Sequence, residues 1–431
     1  MKIKFKNAHI ITANAGFDVI SGGDLCIDGA NIGCVGACSH ADESFDRVID
    51  CGGDIIMPGL VNAHAHSAMT LLRGIAEGLP LENWLFDRIF PLEARLTPED
   101  VYWGTLLAAL EYVRGGVTFT GDAYFFPQAM FAAYDLAGLR CRYVAMPNDI
   151  DAGAEQRIAE LERNFKDFYN RTPLFSIIPG VHAEYTCSEK FLHAVADFAA
   201  VNRQPLYTHM SETLKEVGDC TVRRGGLTPP QYLHKIGFFE NGGTVAHAVH
   251  TDKDDIDLLV QSGVSVAHNP ASNLKLASGV APVYSMLQRG LNVCLGTDGA
   301  ASNNALDIFR EMYLMSVLQK SEMGDAAAVP AKDVILAATI SGARALFEPS
   351  TGSLEPGKQA DIIRVSVSGA HFRPKNDITS HLVYSGKSSD VCMTMVAGKI
   401  LYEDGNYNIG IDPQTVYDEC ELRIRRLERP V

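Results

Sequence analysis

Eight short apolar segments rich in β-type residues recur through the middle of the chain, and helix-like stretches fill the gaps between them. The segments cover residues 57–66, 117–122, 141–146, 174–182, 205–212, 243–250, 264–270 and 291–299. Strands that alternate with helices form parallel sheets, and eight of them over roughly 300 residues predict an α/β fold of the (β/α)8 TIM-barrel type. A doubly wound sheet is the alternative, but no G-x-G-x-x-G or P-loop turn follows any segment.

Short β-type runs and turns also occupy both ends of the chain. Because a sheet of few strands is marginally stable alone, the two ends are predicted to pair into one small β-sandwich beside the barrel. The predicted organisation is a first sandwich part at residues 1–56, the barrel at 57–355 and a second sandwich part at 356–431. Charge pairs spaced i, i+4 predict a surface helix over residues 417–429.

The 431-residue chain has a net charge of −15. Nucleic acids and anionic membranes bind clustered Lys and Arg, so this charge argues against both and favours a small-molecule ligand. The sequence shows no signal-peptide pattern and no apolar run long enough to span a membrane, which predicts a cytoplasmic protein. Most of the ten cysteines lie in apolar surroundings and are predicted to be reduced.

Polar residues stand at the ends of six of the predicted strands. His64 and His66 are spaced i, i+2 at the end of the first strand, so both side chains share one face and can reach one cation. The later strand ends carry His182, His209 and Glu212, His247, His268, and Asp298. Barrel strands converge on one mouth at their carboxyl ends, where the active site of this fold lies. Three histidines and an aspartate can hold Zn²⁺ or Fe²⁺ and leave a position for water, which indicates a catalytic metal site.

Several of these segments resemble the motifs of the amidohydrolase superfamily, and the resemblance extends over nearly the whole chain. The matching motifs are Pro-Gly-Leu-Val-Asn-Ala-His-Ala-His (58–66), Thr-His-Met-Ser-Glu (208–212), Ala-His (246–247), Ala-His-Asn-Pro-Ala-Ser-Asn (267–273) and Gly-Thr-Asp-Gly-Ala-Ala-Ser-Asn-Asn (296–304). The last motif is similar to the deaminase branch that contains 5′-methylthioadenosine/S-adenosylhomocysteine deaminases, guanine deaminase and the triazine hydrolases. The resemblance implies a barrel with a terminal β-sandwich and a metal-dependent hydrolytic deamination.

The resemblance also implies a role for individual residues. The implied ligands of one divalent ion, Zn²⁺ first and Fe²⁺ second, are His64, His66, His209 and Asp298. The ion would activate a hydroxide, and Asp298 would accept the proton that the water loses. His247 would orient the hydroxide, and Glu212 would protonate the ring nitrogen beside the reacting carbon.

One absence bears on the number of metal ions. Binuclear members of the superfamily carry a bridging carboxylated lysine at the end of strand four. The matching segment here is Gly-Val-His-Ala-Glu-Tyr-Thr-Cys (180–187), and the first lysine that follows is Lys190, beyond the strand. The resemblance therefore implies one ion, which favours deamination of a heterocycle over hydrolysis of a cyclic amide by a binuclear centre.

Residues 80–95, which follow the first strand, resemble the adenosine-type deaminases. In that family a Trp packs along the nucleoside, a Glu binds the ribose hydroxyls and a strand-four histidine contacts the purine. The implied substrate-binding residues are Trp84, Glu93, His182 and Glu212. Glu184 stands where the family has a proline after the histidine, so the resemblance leaves open the pocket wall at the 5′ end of the sugar.

The predicted function is hydrolytic deamination of an adenine nucleoside, namely 5′-methylthioadenosine, S-adenosylhomocysteine, adenosine or 5′-deoxyadenosine, to the inosine analogue and ammonia. A deaminase of guanine, a pterin or a triazine is an alternative that needs no ribose-binding Glu93. A non-catalytic relative would lack some ligands, and a binuclear amide-ring hydrolase would need the missing bridging lysine. A homo-oligomer is expected, because symmetric assemblies are common.

Overall fold

The computed structural model describes residues 1–38, 44–150 and 152–427. The strands in these residues are β1 (Lys2–Ile11), β2 (Val19–Asp28), β3 (Asn31–Gly36), β4 (Arg47–Asp50), β5 (Ile55–Pro58), β6 (Leu60–His66), β7 (Val117–Asp122), β8 (Arg140–Ala145), β9 (Phe175–Ala183), β10 (Leu206–Met210), β11 (Gly243–His247), β12 (Val264–His268), β13 (Asn292–Leu295), β14 (Asp298–Gly299), β15 (Ile362–Val365), β16 (Val391–Val396), β17 (Lys399–Glu403) and β18 (Asn406–Tyr407).

The α-helices are α1 (Leu81–Asn83), α2 (Phe90–Glu93), α3 (Pro98–Arg114), α4 (Pro127–Ala137), α5 (Ala154–Phe168), α6 (Glu189–Asn202), α7 (Leu214–Arg223), α8 (Pro229–Lys235), α9 (Lys253–Gln261), α10 (Pro270–Lys275), α11 (Val283–Gln288), α12 (Ala300–Asn303), α13 (Ile308–Met323), α14 (Ala331–Ala337), α15 (Ile340–Ala345), α16 (Ile378–Tyr384) and α17 (Pro413–Leu427). A π-helix, Trp84–Ile89, joins α1 to α2. In the described part of the chain, none of the helices has the length and apolar character needed to cross a membrane.

The strands from β6 to β14 form a closed parallel barrel. The strand order is β13, β12, β11, β10, β9, β8, β7, β6 and β14. The eighth position is divided, because β13 pairs with β12 while β14, three residues further along the chain, pairs with β6. The break between them falls at Gly296 and Thr297, whose N–H groups donate to the carbonyls of His268 and His64. This ring of eight strand positions confirms the predicted (β/α)8 barrel.

Apolar side chains fill the inside of the barrel. Each strand position contributes at least one residue to this cluster, and one from each position gives the set of eight Val61, Phe119, Val144, Ile178, Tyr207, Ala246, Ala267 and Cys294. Three of the eight are small, which leaves space for the two aromatic rings, as close packing of an interior requires. Helix α15 closes the cluster with Ala343 and Ala345 at the amino ends of the strands. The polar residues that end the strands therefore lie at the opposite end of the barrel, where the carboxyl ends of the strands meet.

The two chain ends form a second sheet of nine strands. Its order is β18, β17, β16, β15, β5, β1, β2 and β3, with β4 beside β1. The N-terminal and C-terminal parts meet where β5 and β15 pair antiparallel, and apolar residues of both parts share one core. The predicted pairing of the two ends is thus confirmed, while the residue limits of 1–56, 57–355 and 356–431 stay a prediction.

The last helix and one cysteine pair differ in detail from expectation. Helix α17 ends at Leu427, so residues 428 and 429 of the predicted helix lie outside the described residues. Cys34 and Cys38 form a disulfide, so the prediction of reduced cysteines is wrong for this pair. Their Cα atoms lie 5.9 Å apart, a separation that suits a disulfide. Among the described residues the other eight cysteines form no disulfide, and seven of them are buried.

A buried ion pair joins the barrel to the terminal sheet. Arg140 begins β8, and its Nε donates to Asp361 Oδ2 at 2.8 Å, just before β15. Both side chains are almost completely buried, and the second Asp361 oxygen accepts from the Ala397 N–H at 2.7 Å. A buried charge without a partner is strongly unfavourable, so this pair fixes the relative position of the two sheets.

Replacing Asp361 should therefore destabilise the whole chain. In Asp361→Ala the Arg140 charge stays buried without its partner, and we expect the free energy of unfolding to fall by about 3–5 kcal/mol. Chemical denaturation followed by circular dichroism measures this. Asp219→Ala, which removes the exposed partner of Lys215, is the control and should cost less than about 1 kcal/mol. Equally small losses in both variants would contradict the role assigned to the buried pair.

Candidate active site

The carboxyl ends of the barrel strands bring the four predicted metal ligands together. His64 and His66 lie at the end of β6, His209 lies in β10 and Asp298 begins β14. The Nε2 atom of His66 lies 3.3 Å from Asp298 Oδ1 and 3.3 Å from His209 Nε2. The Nε2 atom of His64 lies 3.6 Å from the same aspartate oxygen. One ligand atom each from His64, His66 and Asp298 fits within 4.8 Å.

Backbone carbonyls set the orientation of two of these rings. His66 Nδ1 donates to the Ala123 carbonyl at 2.6 Å, and His209 Nδ1 donates to the His182 carbonyl at 2.8 Å. Because a carbonyl only accepts, each Nδ1 carries the proton and each Nε2 offers a lone pair. This is the arrangement by which proteins present histidine to a metal.

The protonation states of the cluster fit a divalent cation. His64 is fully buried, and neither of its ring nitrogens has a hydrogen-bond partner among the described residues. Burial lowers the pKa of His64 to about 4 and the pKa of His209 well below its usual value, so both rings are neutral. Burial alone would raise the pKa of Asp298, but the histidines around it hold that pKa well below the usual range. Neutral imidazoles and a carboxylate are donors that Zn²⁺ and Fe²⁺ bind.

Hydroxyl groups from the short helices α10 and α12 hold Asp298. Asp298 Oδ2 accepts from Ser272 Oγ at 2.6 Å and from Ser302 Oγ at 3.0 Å, and Oδ1 accepts from the Gly299 N–H at 2.8 Å. The backbone of Asp298 is left-handed, with φ of 60°. Such a conformation costs a non-glycine residue roughly 1–3 kcal/mol and is concentrated at functional sites. Here it occurs at the break in strand eight and turns the carboxylate toward the histidines.

His247, predicted to be catalytic, lies next to the same cluster. It ends β11 with a left-handed φ of 75°, and its Nδ1 donates to Asn273 Oδ1 at 2.8 Å. Its Nε2 lies 3.7 Å from Glu212 Oε2. Burial would lower the pKa of His247, but the carboxylates of Glu212 and Asp298 raise it above the usual value. His64, His209 and His247 also form a second group whose ligand atoms fit within 4.8 Å, so His247 is close enough to exchange protons with groups at the centre.

Glu212, the other predicted catalytic residue, is a buried carboxyl group at the mouth. Burial raises its pKa, and the Ser278 hydroxyl donates to Oε1 at 3.1 Å. The carboxylate of Glu216 accepts the N–H groups of Ser211 and Glu212, both at 2.7 Å, and so fixes the backbone that carries Glu212. Sequence reasoning missed Glu216, although the pattern Thr-x-x-Glu at 213–216 is a known sign of a helix start.

Trp84, predicted to pack along the nucleoside, and Glu93, predicted to bind the ribose, lie on the helical segment that follows β6. Trp84 begins the π-helix and is 5% exposed, and its Nε1 has no hydrogen-bond partner among the described residues. Glu93 ends α2 and is 8% exposed. Burial raises the pKa of Glu93 to about 7, and the hydroxyl of Tyr124 beside it opposes that shift. The structure thus buries both residues and places the Tyr124 hydroxyl beside the Glu93 carboxyl group.

His182, the predicted purine contact, lies beside the ligand cluster. Its ring centroid is 4.8 Å from that of His209, and its Nδ1 lies 2.9 Å from Thr186 Oγ1. Burial lowers the pKa of His182 to about 4. Glu184, the departure from the family pattern, is buried and pairs with Arg223 and Arg224 at 2.5 and 2.7 Å. This residue therefore holds α7 against the loop after β9.

Comparison with known proteins gives relatives over the full length of the chain. The sequence model of the amidohydrolase family matches residues 55–401. A protein of Pelotomaculum thermopropionicum named 5-methylthioadenosine/S-adenosylhomocysteine deaminase is 39% identical over 429 residues, which cover 99% of this chain and 98% of that protein. A protein of Methanosarcina mazei named 5′-deoxyadenosine deaminase is 41% identical over 430 residues, with 99% and 98% covered.

A solved structure has the same architecture. The crystal structure of an adenosine deaminase from Xanthomonas campestris with bound zinc matches with a TM-score of 0.93 and 32% identity, and 98% of each chain is covered. Together with the cluster of histidines and aspartate, this similarity makes the barrel mouth a site for a divalent metal ion. The resemblance seen in the sequence motifs is confirmed: the chain belongs to the amidohydrolase family.

Proposed function

We propose that the protein deaminates an adenine nucleoside by hydrolysis, with 5′-methylthioadenosine, S-adenosylhomocysteine, adenosine and 5′-deoxyadenosine as the candidate substrates. The products would be the inosine analogue and ammonia. The proposal is carried by one observation: relatives that match nearly the whole chain are named as deaminases of such nucleosides. A homo-oligomer and a cytoplasmic location stay predictions from the sequence.

A single ion would be held by four side chains, namely His64, His66, His209 and Asp298. When bound, the ion would lower the pKa of a water molecule to about 7 and so supply a nucleophile at neutral pH. Zn²⁺ is favoured over Fe²⁺ by the zinc in the related deaminase structure. A second ion is disfavoured because no lysine ends β9, and Lys190 lies on α6, where its exposed ammonium pairs with Glu155.

The two carboxyl groups at the mouth suit opposite proton transfers. Asp298 is ionised, so it can accept the proton that the attacking water loses. Glu212 has a raised pKa, so it can keep a proton and donate it to the ring nitrogen beside the reacting carbon. His247, which faces Glu212, would orient the nucleophile and help to pass a proton to the departing ammonia. Environments that push two pKa values apart are a general way to divide acid and base roles.

The remaining assignments concern the substrate. Trp84 would pack along the nucleoside, Glu93 would accept hydrogen bonds from the ribose, and His182 would contact the purine beside Glu212. Burial supports these roles, because buried polar groups need hydrogen-bond partners and a bound nucleoside can supply them. Glu93 is the residue that separates a nucleoside deaminase from a deaminase of free bases.

A substrate panel with a Glu93 variant tests the proposal. We expect ammonia release from adenosine, 5′-methylthioadenosine, S-adenosylhomocysteine and 5′-deoxyadenosine, and none from adenine or guanine. Loss of charged hydrogen bonds to the sugar in Glu93→Ala should lower kcat/KM for the nucleosides about a hundredfold. Glu82→Ala, which alters an exposed carboxylate on the same segment, should leave kcat/KM unchanged. Turnover of free bases alone would contradict the nucleoside assignment.

Removal of the metal gives an independent prediction. Dialysis against a chelator should abolish deamination and lower the melting temperature, because an ion that binds only the folded state stabilises it. One equivalent of Zn²⁺ should restore both. His66→Ala should bind less metal than the wild type, while His193→Ala, at an exposed position, should bind the same amount. Full activity in the metal-free protein, or a need for two equivalents, would refute the single-ion mechanism.

A further inference from the structure

Tyr124 lies between the metal cluster and the predicted sugar site. It follows the end of β7 by two residues, directly after Ala123, whose carbonyl accepts the hydrogen bond of His66. The Tyr124 ring centroid lies 6.5 Å from that of His66, and the phenol hydroxyl lies beside the carboxyl group of Glu93. One side chain thus contacts both a predicted metal ligand and the predicted ribose acceptor.

The hydroxyl of Tyr124 is buried and makes no well-formed hydrogen bond among the described residues. Nearby buried tyrosines differ in this respect. The hydroxyl of Tyr134 donates to Asp122 at 2.7 Å, that of Tyr112 lies 2.9 Å from Ser67 Oγ, and that of Tyr207 donates to the Ala63 carbonyl at 2.9 Å. Buried polar groups are nearly always paired, so a phenol at the barrel mouth whose one polar neighbour, Glu93, is not in good hydrogen-bond geometry points to a further partner that binds there.

The hydrogen-bonding properties of Tyr124 and Glu93 indicate which chemical group can bind between them. A carboxylate only accepts hydrogen bonds, whereas a phenol donates one. A sugar hydroxyl both donates and accepts, so it can donate to Glu93 and accept from Tyr124 at the same time. A phenol carries its proton near neutral pH, so Tyr124 can donate there. An apolar group in the same place would leave both residues without partners.

We propose that Tyr124 donates a hydrogen bond to a ribose hydroxyl that itself donates to Glu93, so that the two residues together select nucleosides with an intact ribose. This inference rests on the proposed function, because it takes an adenine nucleoside as the ligand. It adds a specificity-determining residue that no sequence motif indicated, and it explains why a tyrosine rather than a phenylalanine follows Ala123.

The ratio of kcat/KM for adenosine to kcat/KM for 2′,3′-dideoxyadenosine tests the inference in the metal-loaded enzyme. Loss of one hydrogen bond in Tyr124→Phe should lower this ratio about tenfold, mainly through adenosine. Tyr232→Phe is the matched control. Its hydroxyl is also buried without a partner among the described residues, but its ring packs against Arg224, away from the cluster. This control should keep the wild-type ratio.

A second variant keeps the test decisive if Tyr124→Phe does not fold. Glu93→Ala leaves the phenol in place, so it should retain a reduced but measurable preference for adenosine over the dideoxynucleoside. An unchanged ratio in folded Tyr124→Phe, or no preference at all in Glu93→Ala, would overturn the inference. If the wild type deaminates none of the four candidate nucleosides, the proposed function itself fails and this inference fails with it. If the wild type deaminates both equally, only the inference fails.

Discussion

Closure of the parallel barrel at its divided eighth strand is the constraint on which the site depends. Pairing of β14 with β6 places Asp298 opposite Ala65, between His64 and His66. The Thr297 N–H donates to the His64 carbonyl across the same seam at 3.1 Å. Backbone hydrogen bonds therefore set the separation of three predicted ligands, and the left-handed φ of Asp298 is the local cost of that placement.

Burial and neighbouring charges then shift the pKa values of several groups at the mouth. His64 and His209 are neutral because they are shielded from water, and their lone pairs together with the ionised carboxylate of Asp298 favour binding of a cation. Away from that centre, burial has the opposite effect on Glu212 and Glu93, which have raised pKa values. One barrel mouth therefore presents an ionised carboxylate, Asp298, and a carboxyl group that holds its proton more tightly, Glu212, a division that suits the proposed deamination.

The elements that sequence could predict are those encoded by local patterns. The eight apolar segments and the i, i+2 histidines indicated the barrel and its metal site, because strand period and strand-end position follow from neighbours in the chain. The β character of both chain ends likewise predicted their common sheet. Glu212 was recognisable because it follows His209 by three residues in a known motif.

The supporting contacts could not be predicted in this way, because they join distant parts of the chain. Ser272, on α10, reaches Asp298 across 26 residues, and Ser278 reaches Glu212 across 66 residues. Tyr124 gains its significance only from its place beside Glu93. The disulfide of Cys34 and Cys38 was missed because composition alone says nothing about the separation of two side chains.

A crystal structure of the zinc-loaded protein, with diffraction data collected on both sides of the zinc absorption edge, would locate the metal ion. We expect one anomalous peak enclosed by His64, His66, His209 and Asp298, with His247 beside it but not bound. A peak bound by His64, His209 and His247 without Asp298, or a second zinc peak at the mouth, would contradict this expectation.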